Sequence, residues 1–128
     1  MKKVKISDLP KTDNPHGIEA KRVHENEHVQ AVHITLKSGE KLIKHTTPVD
    51  VFFYVLEGTG TVEIGDEKQT VTKDTLIDSP AYIPHGWQND SDSILRFLVV
   101  KTPKPTQNQN KDAVQNIIKN KKIEYEKD

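Results

Sequence analysis

From Ile18 to Val100 the apolar residues come in short alternating runs, each closed by glycine, proline, aspartate or asparagine. Such spacing is that of short strands joined by tight turns, and it argues for an all-β sandwich or barrel. Val29–Leu36 places Val32, Ile34 and Leu36 on one face. Asp50–Leu56, rich in Val, Phe and Tyr, is the strongest strand, and its apolar residues on both faces predict a central position. Pro48 interrupts the run before it, because proline cannot donate to a ladder. Glu57-Gly58-Thr59-Gly60 reads as a hairpin turn, Gly65-Asp66 as another, and Ile94–Val100 as the last apolar strand. No helical segment alternates with these strands, which argues against βαβ units.

The flanks differ. Residues 1–17 form an arm with few periodic signals, ending in the turn cluster Asp13-Asn14-Pro15-His16-Gly17. The barrel occupies 18–100, and 101–128 is a linker and helix. Lys101 to Asn110 is rich in Pro, Lys, Gln and Asn and reads as extended. Asp112 resembles an N-cap, and Val114, Ile117, Ile118 and Lys121 recur at helical spacing. The expectation is a short helix from Asp112 to about Lys122 that docks Ile117 and Ile118.

A chain of 128 residues is one domain by size. Lys plus Arg and Asp plus Glu are 19 each, so no broad field attracts nucleic acid or an anionic membrane. With no cysteine, disulfides, thiolate metal sites and a cysteine nucleophile are excluded. Met1-Lys2-Lys3 lacks a following apolar stretch, and no run approaches a membrane span. The expectation is a cytoplasmic protein.

Two histidine-bearing segments dominate the middle of the chain. Gly39, His45 and Gly58 mark the first, and Pro80, His85 and Asn89 mark the second. Their spacing, with Phe53-Tyr54-Val55-Leu56-Glu57-Gly58 and Ile83-Pro84-His85-Gly86, resembles the two motifs of the cupin superfamily over roughly residues 30–100. The resemblance implies a jelly-roll-like β-barrel, commonly dimeric, with a ligand pocket inside. It also implies a divalent metal (Fe, Mn, Ni, Zn or Cu) held by two His and a Glu of the first motif and one His of the second.

The chain departs from that pattern. Of the four ligand positions, His45 and His85 are kept, Thr47 stands at the second His and Val51 at the Glu. Asp74 and Tyr82 replace two motif glycines. Asp50 or His33 could complete a metal shell, although strand alternation points both away from Val51 and from Val32, Ile34 and Leu36. Without metal, the two imidazoles could bind an organic ligand directly. Val51 and Phe53 would then supply apolar walls. Tyr82 would line the mouth or pack a loop, and Trp87 would stack on the ligand or fill the barrel. Arg96 is expected outward, and His16, His24 and His28 on the surface. The reading is a small-molecule-binding cupin without nucleic-acid or membrane partners. Its alternative is a metal-dependent enzyme of dioxygenase or isomerase type using His45 and His85.

Overall fold

The computed structural model describes residues 1–127, with side chains through Ile123. After a 3-10 turn at Ile6–Asp8 come nine strands: β1 (Glu19–Asn26), β2 (Val29–Leu36), β3 (Lys41–His45), β4 (Asp50–Glu57), β5 (Thr59–Ile64), β6 (Glu67–Thr72), β7 (Leu76–Ser79), β8 (His85–Gln88) and β9 (Leu95–Thr102). A helix, α1 (Gln107–Lys127), follows. All pairings are antiparallel and fall into two sheets, ordered β1-β2-β9-β4-β7 and β3-β8-β5-β6.

Strand alternation sets the core. Val51, Phe53 and Val55 of β4, Ile34 and Leu36 of β2, and Leu95 and Phe97 of β9 all point between the sheets and are buried. β4 lies inside its sheet, between β9 and β7, as its two apolar faces require. Trp87 stacks on Phe97 at 4.2 Å between ring centroids and 15° between planes. Phe53 meets both rings edge-on. Edge-to-face and offset pairs of this kind add about 0.5–1.5 kcal/mol each beyond their buried area.

Two turns differ from one another. Gly65-Asp66 is the tight hairpin predicted, with Ile64 opposite Glu67. Glu57–Gly60 is not the hairpin expected: β4 pairs with β7 and β9, whereas β5 pairs with β6 and β8. The chain crosses there from one sheet to the other. Gly58 makes the crossing at φ +87°, and a Cβ at this position would land on the Ile94 carbonyl oxygen. The change of sheet needs one residue with positive φ and no side chain, and the same Gly also suits a hairpin.

The tail is also corrected. β9 runs on to Thr102, and the helix starts at Gln107 rather than Asp112. Thr106 is its cap. The Gln109 amide donates to Thr106 Oγ1 at 3.2 Å, and the Thr106 amide donates to Gln109 Oε1 at 2.8 Å. This reciprocal pair is a capping box built from Thr-x-x-Gln. Ile117 docks and is buried, whereas Ile118 is exposed. Among the described residues no helix is long and apolar enough to cross a membrane.

Candidate functional site

Inward alternation brings β1, β2, β3, β4, β8 and β9 around a cavity of about 280 Å³ at one end of the barrel. Its apolar wall includes Phe53, Ile34, Val99 and Ile117, and its polar residues include His45, Thr47 and His85. The arm (Thr12–His16) and α1 complete the lining. The arm is held by Asn14, whose Nδ2 donates to the Thr12 and Ile18 carbonyls and whose Oδ1 accepts from the His16 amide. Lys121 Nζ donates to the Pro15 carbonyl at 3.1 Å and so ties the helix to the arm.

The position of the arm overturns the surface placement of His16. The arm folds back and sets its ring 5.0 Å from that of His45, in the cavity wall. His45 lies 4.8 Å from His85, edge-on. Three imidazoles therefore meet, one from the arm and one from each motif. His24 and His28 are exposed, as expected.

The backbone of one residue, Ile43, fixes two of these rings. The Ile43 amide donates to His16 Nδ1 at 3.2 Å, so neutral His16 carries its proton on Nε2. His45 Nδ1 donates to the Ile43 carbonyl at 2.7 Å, so neutral His45 has a bare Nε2. β3 is one of the two edge strands of its sheet, and its register with β8 shifts between Leu42 and His45. The two rings consequently present opposite polarity, a donor on His16 and an acceptor on His45. His85 is engaged at both nitrogens: Ser79 Oγ lies 2.7 Å from Nδ1 and Thr47 Oγ1 lies 3.2 Å from Nε2.

Burial holds the imidazoles neutral. Removal from water is the largest influence on His85 and lowers its pKa to about 3, helped by neighbouring His45 and the Lys101 ammonium. His16 is lowered to about 3 by burial and then by His45. Burial also lowers His45, against the Ile43 carbonyl, which favours its charged form. At neutral pH His45 Nε2 can therefore accept a proton or hydrogen bond from a bound hydroxyl.

The remaining candidates lie elsewhere. Val51 belongs to the packed core and Trp87 to the aromatic stack, with the indole Nε1 unpartnered. Tyr82 is exposed at φ +66°, beside Pro48 and Asn116 in a separate pocket. Asp50 is exposed, and its Oδ1 accepts from the Ala81 amide at 2.9 Å. His33 is buried on the opposite face of β2, where Arg96 Nε donates to its Nε2 at 3.1 Å. Arg96 also pairs with Glu57 on that outer face. Asn89 organises a loop, donating to the Leu36 and Ser93 carbonyls.

These placements test the metal shell that the motif resemblance implies. Thr47 occupies the second His position and contacts His85 Nε2, the atom that a metal would need. Val51 offers no donor, and Asp50 and His33 are committed to Ala81 and Arg96. Among the described residues no three His, Asp or Glu side chains are placed to share an ion. The residues present do not fit the four-ligand shell.

Sequence and fold comparisons agree on ancestry. An uncharacterised protein of Methanocaldococcus jannaschii is 35% identical over 83 residues, covering 62% of this chain and 69% of that protein. Its crystal structure, described as an RmlC-like cupin with a double-stranded β-helix fold, superposes with a TM-score of 0.65 at 26% identity, covering 80% of this chain and 92% of that one. A protein of Thermus thermophilus gives a TM-score of 0.71 at 28% identity, covering 82% of this chain and 100% of that one. The polyketide cyclase RemF from Streptomyces resistomycificus shares the fold, with a TM-score of 0.72 at 20% identity and 81% and 80% coverage. The sequence model of the cupin domain matches residues 32–101, and the chain belongs to the cupin family.

Proposed function

We propose that this cupin binds a small organic molecule directly through side chains in the end of its barrel. The observation that carries the reading is the meeting of His16, His45 and His85 with Thr47 on one cavity that has an apolar wall. A concave, largely apolar site with a few convergent polar groups is the usual form of a small-molecule pocket. The donor on His16 and the acceptor on His45 would orient a polar ligand, and the wall would take its apolar part. We infer a homodimer, following the family resemblance.

The test is a thermal-shift screen of small acids, amides, alcohols and sugars, since a ligand that binds only the folded state raises the melting temperature. Binding is expected for the unaltered chain. It should be weakened by His45→Gln and by Thr47→Val, both of which leave the aromatic stack untouched. Hits that bind both variants as well as the parent would refute the site. The metal-dependent alternative is decided by elemental analysis of protein purified without chelator. Its one favourable observation is that His45 donates through Nδ1 to a carbonyl, as ligating imidazoles do. About one equivalent of a first-row metal per chain would support that alternative, and well under about a tenth, with no uptake, would support direct binding.

A further inference from the structure

We propose that the ligand is a small organic monoanion and that Lys101 holds its carboxylate. This rests on the small-molecule reading above and names the ligand class. The argument starts from strand parity. Leu95, Phe97 and Val99 of β9 point into the barrel, and Lys101 is the next inward position, between Gln30 of β2 and Val51 of β4. Its side chain lines the cavity. A lysine continuing an apolar row into a cavity is unusual, because an ammonium taken from water needs an anion or strong acceptors around it.

None is supplied by the described residues. Arg22 and Lys104 pair with Glu25, Lys44 with Glu63, Arg96 with Glu57, and Lys11 with Glu19. Lys101 has no such partner, and burial alone, with no carboxylate acting on it, lowers its pKa. Asp13, the acidic residue in the lining, is exposed and makes no ion pair with it. Lys101 is half-buried, and residues of the arm and α1 stand in the same lining, so its ammonium has limited access to water.

The surroundings suit a carboxylate. Lys101 is close enough to His16, His45 and His85 to disfavour a charge on each. His16, with its proton on Nε2, adds a neutral donor in the same wall. A cavity of 280 Å³ equals about nine waters of liquid volume, the scale of a ligand with roughly that many heavy atoms. The carboxylate would face Lys101 while the body of the molecule covers Phe53, Ile34 and Val99.

Calorimetric titration of the full chain tests this with benzoate, phenylacetate and hexanoate against benzamide, phenylacetamide and hexanamide. At least one acid should bind about tenfold to a hundredfold more tightly than its amide, the range of a charge-assisted hydrogen bond. Lys101→Met should bring that ratio to about one without weakening the amide. Lys101→Gln is the second variant should the first fail to fold. An acid preference that survives in the folded variant overturns the proposal. Amides binding as well as acids overturns it too, while leaving the small-molecule reading intact. Silence from all six compounds overturns it, and the broader screen then decides separately whether the cavity binds small molecules at all.

Discussion

Acidification should unfold this barrel partly through His85, and the size of the effect can be worked out. The imidazole has an ordinary pKa of 6.5 and is lowered to about 3 in the fold. Between those values the unfolded chain binds a proton that the folded chain does not. Stability therefore rises with pH in this window and is lost as pH falls below 6.5 toward 3. Moving from pH 7 to pH 5 crosses about 1.5 pH units of the window, a loss of about 2 kcal/mol from this residue. His16 and His45 shift in the same direction, so the whole chain should lose more. His85→Gln isolates one share, because an amide can still meet the Ser79 and Thr47 hydroxyls but cannot titrate. Urea unfolding at the two pH values, followed by the fluorescence of buried Trp87, measures both proteins. The parent should lose about 2 kcal/mol more than the variant. An equal pH dependence, or a steeper one in the variant, would refute the claim that His85 is buried neutral.

Other perturbations address the frame around the site. Thr106→Ala removes one half of the capping box and should cost about 1 kcal/mol, seen as faster amide exchange in the first turn of α1; unchanged exchange at Gln109 would exclude the cap. Gly58→Ala must place a Cβ on the Ile94 carbonyl at φ +87°, and should destabilise the barrel by at least about 2 kcal/mol in urea; a neutral result would mean that the sheet crossing is built otherwise.

Much of the barrel was legible in the sequence because its signals are local. Period-two alternation in 29–36 and 50–56 assigns the buried faces correctly, and Gly65-Asp66 announces its own turn. The phase of Arg96 follows from the same rule, since it lies outside with His33 and Glu57. What could not be read depends on contacts distant in the chain. His16 sits 27 residues before Ile43, and only folding back of the arm brings them together. Asn14 was the available sign, as a turn residue able to brace the loop that carries His16. Gly58 suits a hairpin and a sheet crossing equally, and nothing local separates the two. The early helix start is hidden because Asp112 is a good cap type, whereas Thr106-Gln107-Asn108-Gln109 lies in a stretch whose composition suggests a linker. Lys101 stands, by composition, as the first residue of that linker. Its inward position appears only once strand parity is extended two residues past Val99.

The irregular edge of β3 has a consequence for solubility. A free strand edge offers unpaired backbone groups to any other extended chain, and proteins commonly blunt such edges. Here the capping is done by side chains of the arm, of α1 and of β3 itself. His16 takes the Ile43 amide and His45 its carbonyl, Asn120 donates to the Lys44 carbonyl, and Asn116 accepts from the Thr46 amide. The arm and α1, which line the cavity, are thus also the guard against edge-to-edge association. Trimming the arm or α1 to widen access would uncover a template for intermolecular pairing, so the expected product is an aggregating barrel instead of an open receptor.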